Sequence, residues 1–159
     1  MGDIITDIML REGWDKMTND PLDKGGRTQF GISEKSNPLA WTDNHVTEAE
    51  ARAIYTRKYV EGPGFARIKD KQLQALLVDW GVTSGPGVAI RGLQRVVGSK
   101  DDGVLGAHTL ARLADRDPRE VINKVVAERI KMIVRVVVAQ PNQLRFLAGW
   151  INRCCEWLN

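Results

Sequence analysis

The chain has 159 residues, 43% hydrophobic and 27% charged, with a formal net charge of +3. These proportions exclude intrinsic disorder and a collagen-like architecture, and the length suits one compact unit with at most two lobes. The longest charge-free stretch, Trp80 to Ile90, is too short and too rich in Gly, Pro and Ser to span a membrane.

The amino terminus lacks the basic and apolar regions of a secretory leader, because Asp3 and Asp7 interrupt it. Synthesis in the cytoplasm is therefore expected, with any work at the cell wall waiting on release. Asp3 is instead placed to cap a first helix, whose Ile4, Ile5, Ile8 and Met9 share one face. That helix should end between Arg11 and Gly13. Residues 15–46 carry Asp, Asn, Gly and Pro without a helical period. Two short extended pieces joined by turns are expected around Thr28 to Ser33. Thr47-Glu48-Ala49-Glu50 has the spacing of a capping box and predicts a helix to about Tyr59, broken at Gly62-Pro63-Gly64.

A helix is predicted over about Asp70–Thr83, with Leu73, Leu76, Leu77 and Trp80 at three- and four-residue steps. Pro86 suits the first turn of the next helix, which runs through Leu93 to Val97. Asp101-Asp102-Gly103 reads as a turn and Gly106 as the start of a short helix. Asp117-Pro118-Arg119-Glu120 opens a long helix to about Val138. Its Arg119, Lys124, Arg129, Lys131 and Arg135 are expected on a solvated face opposite Val121, Ile122, Val125, Ile130, Ile133 and Val137. Pro141 should stop it, and a last helix is expected over about Asn142–Leu158. Cys154 and Cys155 are adjacent, so they form no disulfide framework and read as apolar fillers of that helix.

Residues 1–80 carry 11 basic and 13 acidic side chains, and residues 81–159 carry 12 and 7. The basic half is suited to an anionic polymer such as nucleic acid, lipid head groups or cell-wall glycan. No recognition motif supports nucleic acid. The long basic helix offers weak contact with anionic outer-membrane lipid as a second reading. His45 and His108 have no companions at ligand spacing, so no metal site is expected.

Chemistry concentrates between the first two helices, on loop-like sequence held by a scaffold. Glu12 stands at the end of an apolar-faced helix, followed by Gly13 and Trp14. The negative helix terminus and burial beside an aromatic ring are expected to favour its protonated form. A protonated carboxyl is what a glycosidic oxygen needs before it can leave. Asp20 and Asp23 follow on the loop, where either can hold a water or stabilise positive charge on a sugar. Thr28 adds a hydroxyl to position that water. Trp14 and Trp41, in or near the irregular region, are candidates for lining a sugar groove, whereas Trp80, Trp150 and Trp157 read as helix-borne core.

The run Asn19-Asp20-Pro21-Leu22-Asp23-Lys24-Gly25-Gly26-Arg27-Thr28-Gln29-Phe30-Gly31-Ile32-Ser33 resembles the signature of glycoside hydrolase family 108, muramidases found among bacteriophage endolysins. The start of that signature, Glu-Gly-Gly-aromatic, is matched less fully, since Glu12-Gly13-Trp14 lacks the second glycine. The resemblance places the family's catalytic glutamate on Glu12, with Asp23 and Thr28 assisting and Asp20 competing with Asp23. A second set of residues resembles the peptidoglycan-associated region that accompanies this family: Asp79-Trp80-Gly81-Val82-Thr83-Ser84-Gly85-Pro86, Leu93-Gln94, Asp102-Gly103-Val104-Leu105-Gly106, Thr109-Leu110 and Gly149-Trp150-Ile151-Asn152-Arg153.

The resemblances imply a mostly α, lysozyme-like α+β fold with a short β-hairpin in the small lobe. Residues 1–84 form the catalytic lobe and 85–159 a helical peptidoglycan-associated lobe, with glycan in a groove between them. They further imply a monomeric endolysin-type N-acetylmuramidase. It would cut the β-1,4 bond between N-acetylmuramic acid and N-acetylglucosamine without metal or organic cofactor, and so lyse the cell. A lytic transglycosylase and a non-catalytic peptidoglycan-binding module are the alternatives.

Overall fold

A computed structural model describes residues 3–14, 16–19 and 26–158. It is mostly α-helical with one two-stranded sheet, as the sequence predicts. Packing divides the chain into two compact units, Met1–Gly62 and Pro63–Asn159. Residues 63–84, grouped with the first lobe on sequence, carry a helix that packs on later helices.

In the first unit, helix α1 (Ile4–Arg11) starts where Asp3 accepts from the Ile5 amide at 3.2 Å. It buries Ile5, Ile8 and Met9. Strands β1 (Thr28–Gln29) and β2 (Ile32–Ser33) pair antiparallel in the register Thr28 to Ser33 and Gln29 to Ile32. Thr18 flanks them in a single antiparallel bridge to Thr28. Helix α2 (Glu48–Tyr55) has the complete capping box on Thr47 and Glu50. Arg52 ties α2 to α1, donating to Asp3 at 2.6 Å and to Thr6 Oγ1 at 2.8 Å. Gln29 Oε1 accepts from the Val46 amide at 2.8 Å, which fixes the hairpin to the approach to α2. The helix does not run on regularly to Tyr59. It widens into a π-helical turn, Thr56–Glu61, closed by the Gly62 amide on Arg57 O.

In the second unit, α3 (Lys71–Ser84) is capped by Asp70 and buried on nearly every side over Ala75–Gly81. A helix apolar all round becomes the centre of a bundle. Around it pack α4 (Pro86–Val97) and α6 (Pro118–Ala139), while α5 (Ala107–Ala114) joins α4 and α7 (Leu147–Cys155) joins α6. The predicted last helix is shorter than expected. After Pro141 the chain winds as a 3-10 helix to Phe146 and becomes α only at Leu147. Cys154 is buried and Cys155 exposed, so only the first acts as a filler.

Trp80 is wholly buried, and a Cβ at Gly92 would overlap its ring. Helix propensity alone would favour alanine there by about 1 kcal/mol. The ring is buried within the bundle, and overpacking costs about 1–3 kcal/mol. Gly92→Ala should therefore lower stability in urea denaturation despite its better propensity.

Two networks account for residues of the second resemblance. The buried Gln94 side chain donates to Asp102 at 2.8 Å and to Val104 O at 3.0 Å, and accepts from the Gly103 amide at 2.9 Å. It thus pins the turn before α5. Asp79, 1% exposed, accepts from Arg129 at 2.7 Å and in a two-pronged pair from Arg153, with 2.7 Å to Nη2. Burial opposes ionisation of Asp79, but the Arg153 hydrogen bonds and the Arg129 charge outweigh it and hold the carboxyl below its ordinary range. Arg129 is 3% exposed, which corrects the expectation that all five cations of α6 face solvent. A buried carboxylate in the centre of the bundle requires a buried cation.

Candidate active site

The site is built on the end of α1. Gly13, at φ 98, donates to Leu10 O, and Trp14 donates to Met9 O at 2.8 Å. This pair of bonds is a Schellman termination, and it leaves Glu12 as the C-cap residue. Trp14 follows at φ 48, where a second glycine would sit without strain. The missing glycine of the signature therefore does not abolish the left-handed turn.

Glu12 is exposed, which corrects the expectation of burial beside an aromatic ring. Its position at the negative end of α1 holds, and its stem lies against the hairpin. A Cβ built on Gly31 would come within 3.1 Å of Glu12 Cβ and 2.5 Å of the Tyr55 hydroxyl. Tyr55 is buried and its hydroxyl donates to Phe30 O at 3.1 Å. Burial, then the nearby Glu12 carboxylate, push the phenol above its ordinary range, so it remains a neutral donor.

Phe30 and Gly31 form the two-residue hairpin turn, both with positive φ, 52 and 73. A tight hairpin of this type demands left-handed backbone, which is costly for phenylalanine. Phe30 is held there by burial, by Tyr55 and by an edge-to-face contact with Trp14 at 6.0 Å. Three aromatic side chains thus fix the turn that meets the acid. Gly31→Ala should shift Glu12 and strain the turn. We expect stability to fall by about 1–2 kcal/mol from the left-handed backbone alone. Murein hydrolysis should fall by up to about 100-fold from misplacement of the acid, read by reducing-end release.

Thr28 lies on β1 of the same hairpin, half-buried, with its amide and carbonyl both bonded to Thr18 at 2.9 and 2.8 Å. The carboxylates Asp20 and Asp23 lie outside the described residues. Trp14 is half-buried at the end of α1. Trp41 is not placed to line a groove: it is 4% exposed, and the Arg27 guanidinium covers its ring at 5.0 Å from the centroid. Arg27 itself donates two hydrogen bonds to the Glu34 carboxylate across the base of the hairpin, at 2.9 and 2.7 Å.

A small hollow of about 100 Å³ opens beside the turn, lined by Gly31, Ser33, Asn37, Tyr55, Lys58 and Tyr59 among others. It shares Ser36, Asn37 and Ile54 with a larger depression of about 500 Å³ that continues past Leu39 and Arg57. Hydroxyls, an amide, a cation and an aromatic ring along one groove match the mixed surface of a sugar ring. The π-turn supplies Lys58 and Tyr59, whose ammonium and ring lie 5.2 Å apart. Neither residue carried a sequence signal, because a π-turn is a local departure that the helical period does not encode. Among the described residues, no group of His, Cys, Asp and Glu is arranged to hold a metal ion.

A family model described as glycosyl hydrolase 108 matches residues 5–85, and one described as a predicted peptidoglycan domain matches residues 88–155. The chain is similar in structure to SagA of Brucella abortus, with a TM-score of 0.72 and 27% identity over 96% of this chain and 88% of that one. No curated protein matches the sequence. The first model covers the α1 terminus, the hairpin and the groove just described, together with α3. The chain belongs to the glycosyl hydrolase 108 family and is a glycoside hydrolase acting on peptidoglycan, with a peptidoglycan-binding region behind it.

Proposed function

We propose that the protein is an N-acetylmuramidase of endolysin type that hydrolyses the β-1,4 bond between N-acetylmuramic acid and N-acetylglucosamine, with Glu12 as proton donor. The observation that carries this reading is the packing of Glu12 against Gly31, a residue that itself lines a groove of sugar-compatible groups. Exposure of Glu12 in the free protein suits an acid that must meet a large polymer. A sugar ring seated over the helix end excludes water and brings the acid to the glycosidic oxygen. Asp23 or Asp20 then stabilises the oxocarbenium-like charge or holds the attacking water, and Thr28 orients that water from the hairpin. Lysis of a cell would follow release of the enzyme to the wall.

Purified murein distinguishes this reading from its rivals. Mass spectrometry should find soluble fragments with reducing N-acetylmuramic acid ends. Anhydro-muramic ends would make the protein a lytic transglycosylase, reducing N-acetylglucosamine ends would move the cut to the other glycosidic bond, and no soluble sugar would leave only a binding module.

A further inference from the structure

The groove beside the hairpin carries a charge that the hydrolytic step does not use. Among the described residues its charged lining is Lys58 in the small hollow, with Arg57 and Glu50 in the depression that continues it. Glu50 is committed to the cap of α2, accepting from the Thr47 amide at 2.8 Å and the Thr47 hydroxyl at 2.7 Å. Lys58 and Arg57 are exposed and make no ion pair among the described residues. Lys58 is nonetheless anchored. Its ammonium lies over the Tyr59 ring at 5.2 Å, and that ring packs on Tyr55 at 5.7 Å. Tyr55 in turn holds the hairpin at Phe30 O, next to the Gly31 position that the Glu12 stem meets. The π-turn fixes the backbone beneath. Gly62 closes it on Arg57 O at 2.9 Å, and a Cβ at Gly62 would crowd that same oxygen at 2.8 Å. An aromatic face steadies an ammonium without neutralising it, so the charge stays available to a ligand.

The chemistry of the polymer says what such a cation can recognise. Murein and chitin share one backbone of β-1,4-linked N-acetylhexosamine. Murein differs by a lactyl ether on alternate rings, which ends in a carboxyl group or carries a peptide stem with carboxylates of its own. The Ser33 and Asn37 side chains that line the hollow suit both polymers equally. A cation separates them, because only murein brings an anion to it. We infer that Lys58 is a specificity-determining residue that receives a carboxylate of the muramyl lactyl group or its stem, so that the groove selects acidic peptidoglycan over neutral chitin-type glycan. The inference rests on the reading of this groove as the muramidase site. It places the choice of polymer on the π-turn and leaves bond cleavage to Glu12.

The test uses the full chain and purified murein in two forms, untreated and with its carboxylates amidated by carbodiimide and ammonia. Release of reducing ends should show an apparent KM about fivefold lower for the untreated form, the contribution of one partly exposed charge-assisted contact. Lys58→Gln should raise the KM for untreated murein to that for the amidated form and leave kcat within about twofold, the mark of a group that binds ground state and transition state alike. Lys58→Arg should restore the preference. Lys69→Gln removes an equal charge from outside the lining and should leave the preference within about twofold of the parent's. Circular dichroism confirms the fold of each variant. Glycan stripped of its stems identifies the carboxylate. Preference for the untreated over the amidated stripped glycan assigns the contact to the lactyl group, and equal use of the two assigns it to the stem; both outcomes uphold the inference. Equal use of the two mureins by the parent, a preference that survives in Lys58→Gln, or a fall in kcat at unchanged KM would each overturn it. If sugar is released without a preference, the role of Lys58 falls and the muramidase reading stands. If no sugar is released by any form, the muramidase reading falls, and co-sedimentation of parent and Lys58→Gln with the two mureins decides the carboxylate contact by the same comparison.

Discussion

Glu12→Gln is expected to reduce release of reducing ends from purified murein by about 10²–10⁴-fold, the usual contribution of a positioned general acid. The substitution keeps the size and reach of the side chain and removes its acidic proton together with its charge. Glu12 is exposed and caps α1 through its backbone amide on Ile8 O, at 2.9 Å. The fold should therefore hardly notice, with a stability change below about 0.5 kcal/mol in urea denaturation. Relief of a negative charge at the negative end of α1 would make any change slightly favourable. A variant that folds and hydrolyses murein at the original rate would remove Glu12 from the mechanism. The family resemblance would then have to be satisfied by another carboxylate.

The largest stability effect should come from the other unit. Asp79→Asn leaves Arg129, 3% exposed, and Arg153 without the anion they share, and breaking such a buried pair costs about 3–5 kcal/mol. Replacing all three charges together with apolar side chains should cost far less, because no charge is then stranded. The pair also predicts an acid limb. The folded-state pKa of Asp79 is depressed, so its stabilisation is fully present above the unfolded value of about 3.9. It is lost as pH falls below that value and through the folded pKa. Thermal unfolding followed from pH 6 downward should show a steeper loss for the parent protein than for Asp79→Asn. A variant with unchanged midpoint and unchanged acid slope would show that the buried ion pair contributes nothing net.

Much of the scaffold was legible because its signals are local. Asp3, Thr47 with Glu50, and Asp117 cap the helices they were expected to cap, since an orphan amide and a side-chain oxygen a few residues away suffice. The hairpin at Thr28–Ser33 was likewise visible in its glycine and flanking strand formers. Burial was the weaker inference. Glu12 was expected inside and is outside, while Trp41 was expected to face a groove and lies under Arg27. Both depend on which distant segment covers them, and the sequence around them is silent on that. Arg129 is different, because a signal was present. It falls four residues after Val125 and four before Ile133, on the apolar stripe of α6, while Asp79 interrupts the most apolar run of α3. A cation and an anion each on a buried face are a pairing waiting to be read. The π-turn that carries Lys58 and Tyr59 had no comparable cue.

The shared carboxylate also bears on how the second unit comes apart. Asp79 is reached from Arg129 across 50 positions and from Arg153 across 74. Helix α7 has nine residues and buries little beyond Cys154, so alone it would fray at low cost. Peeling it away would withdraw one of two guanidiniums from a buried anion, and that penalty raises the cost of separating one short helix. A mainly solvent-facing segment is thereby coupled to the core, and its amide protons should exchange more slowly than those of a helix that frays freely.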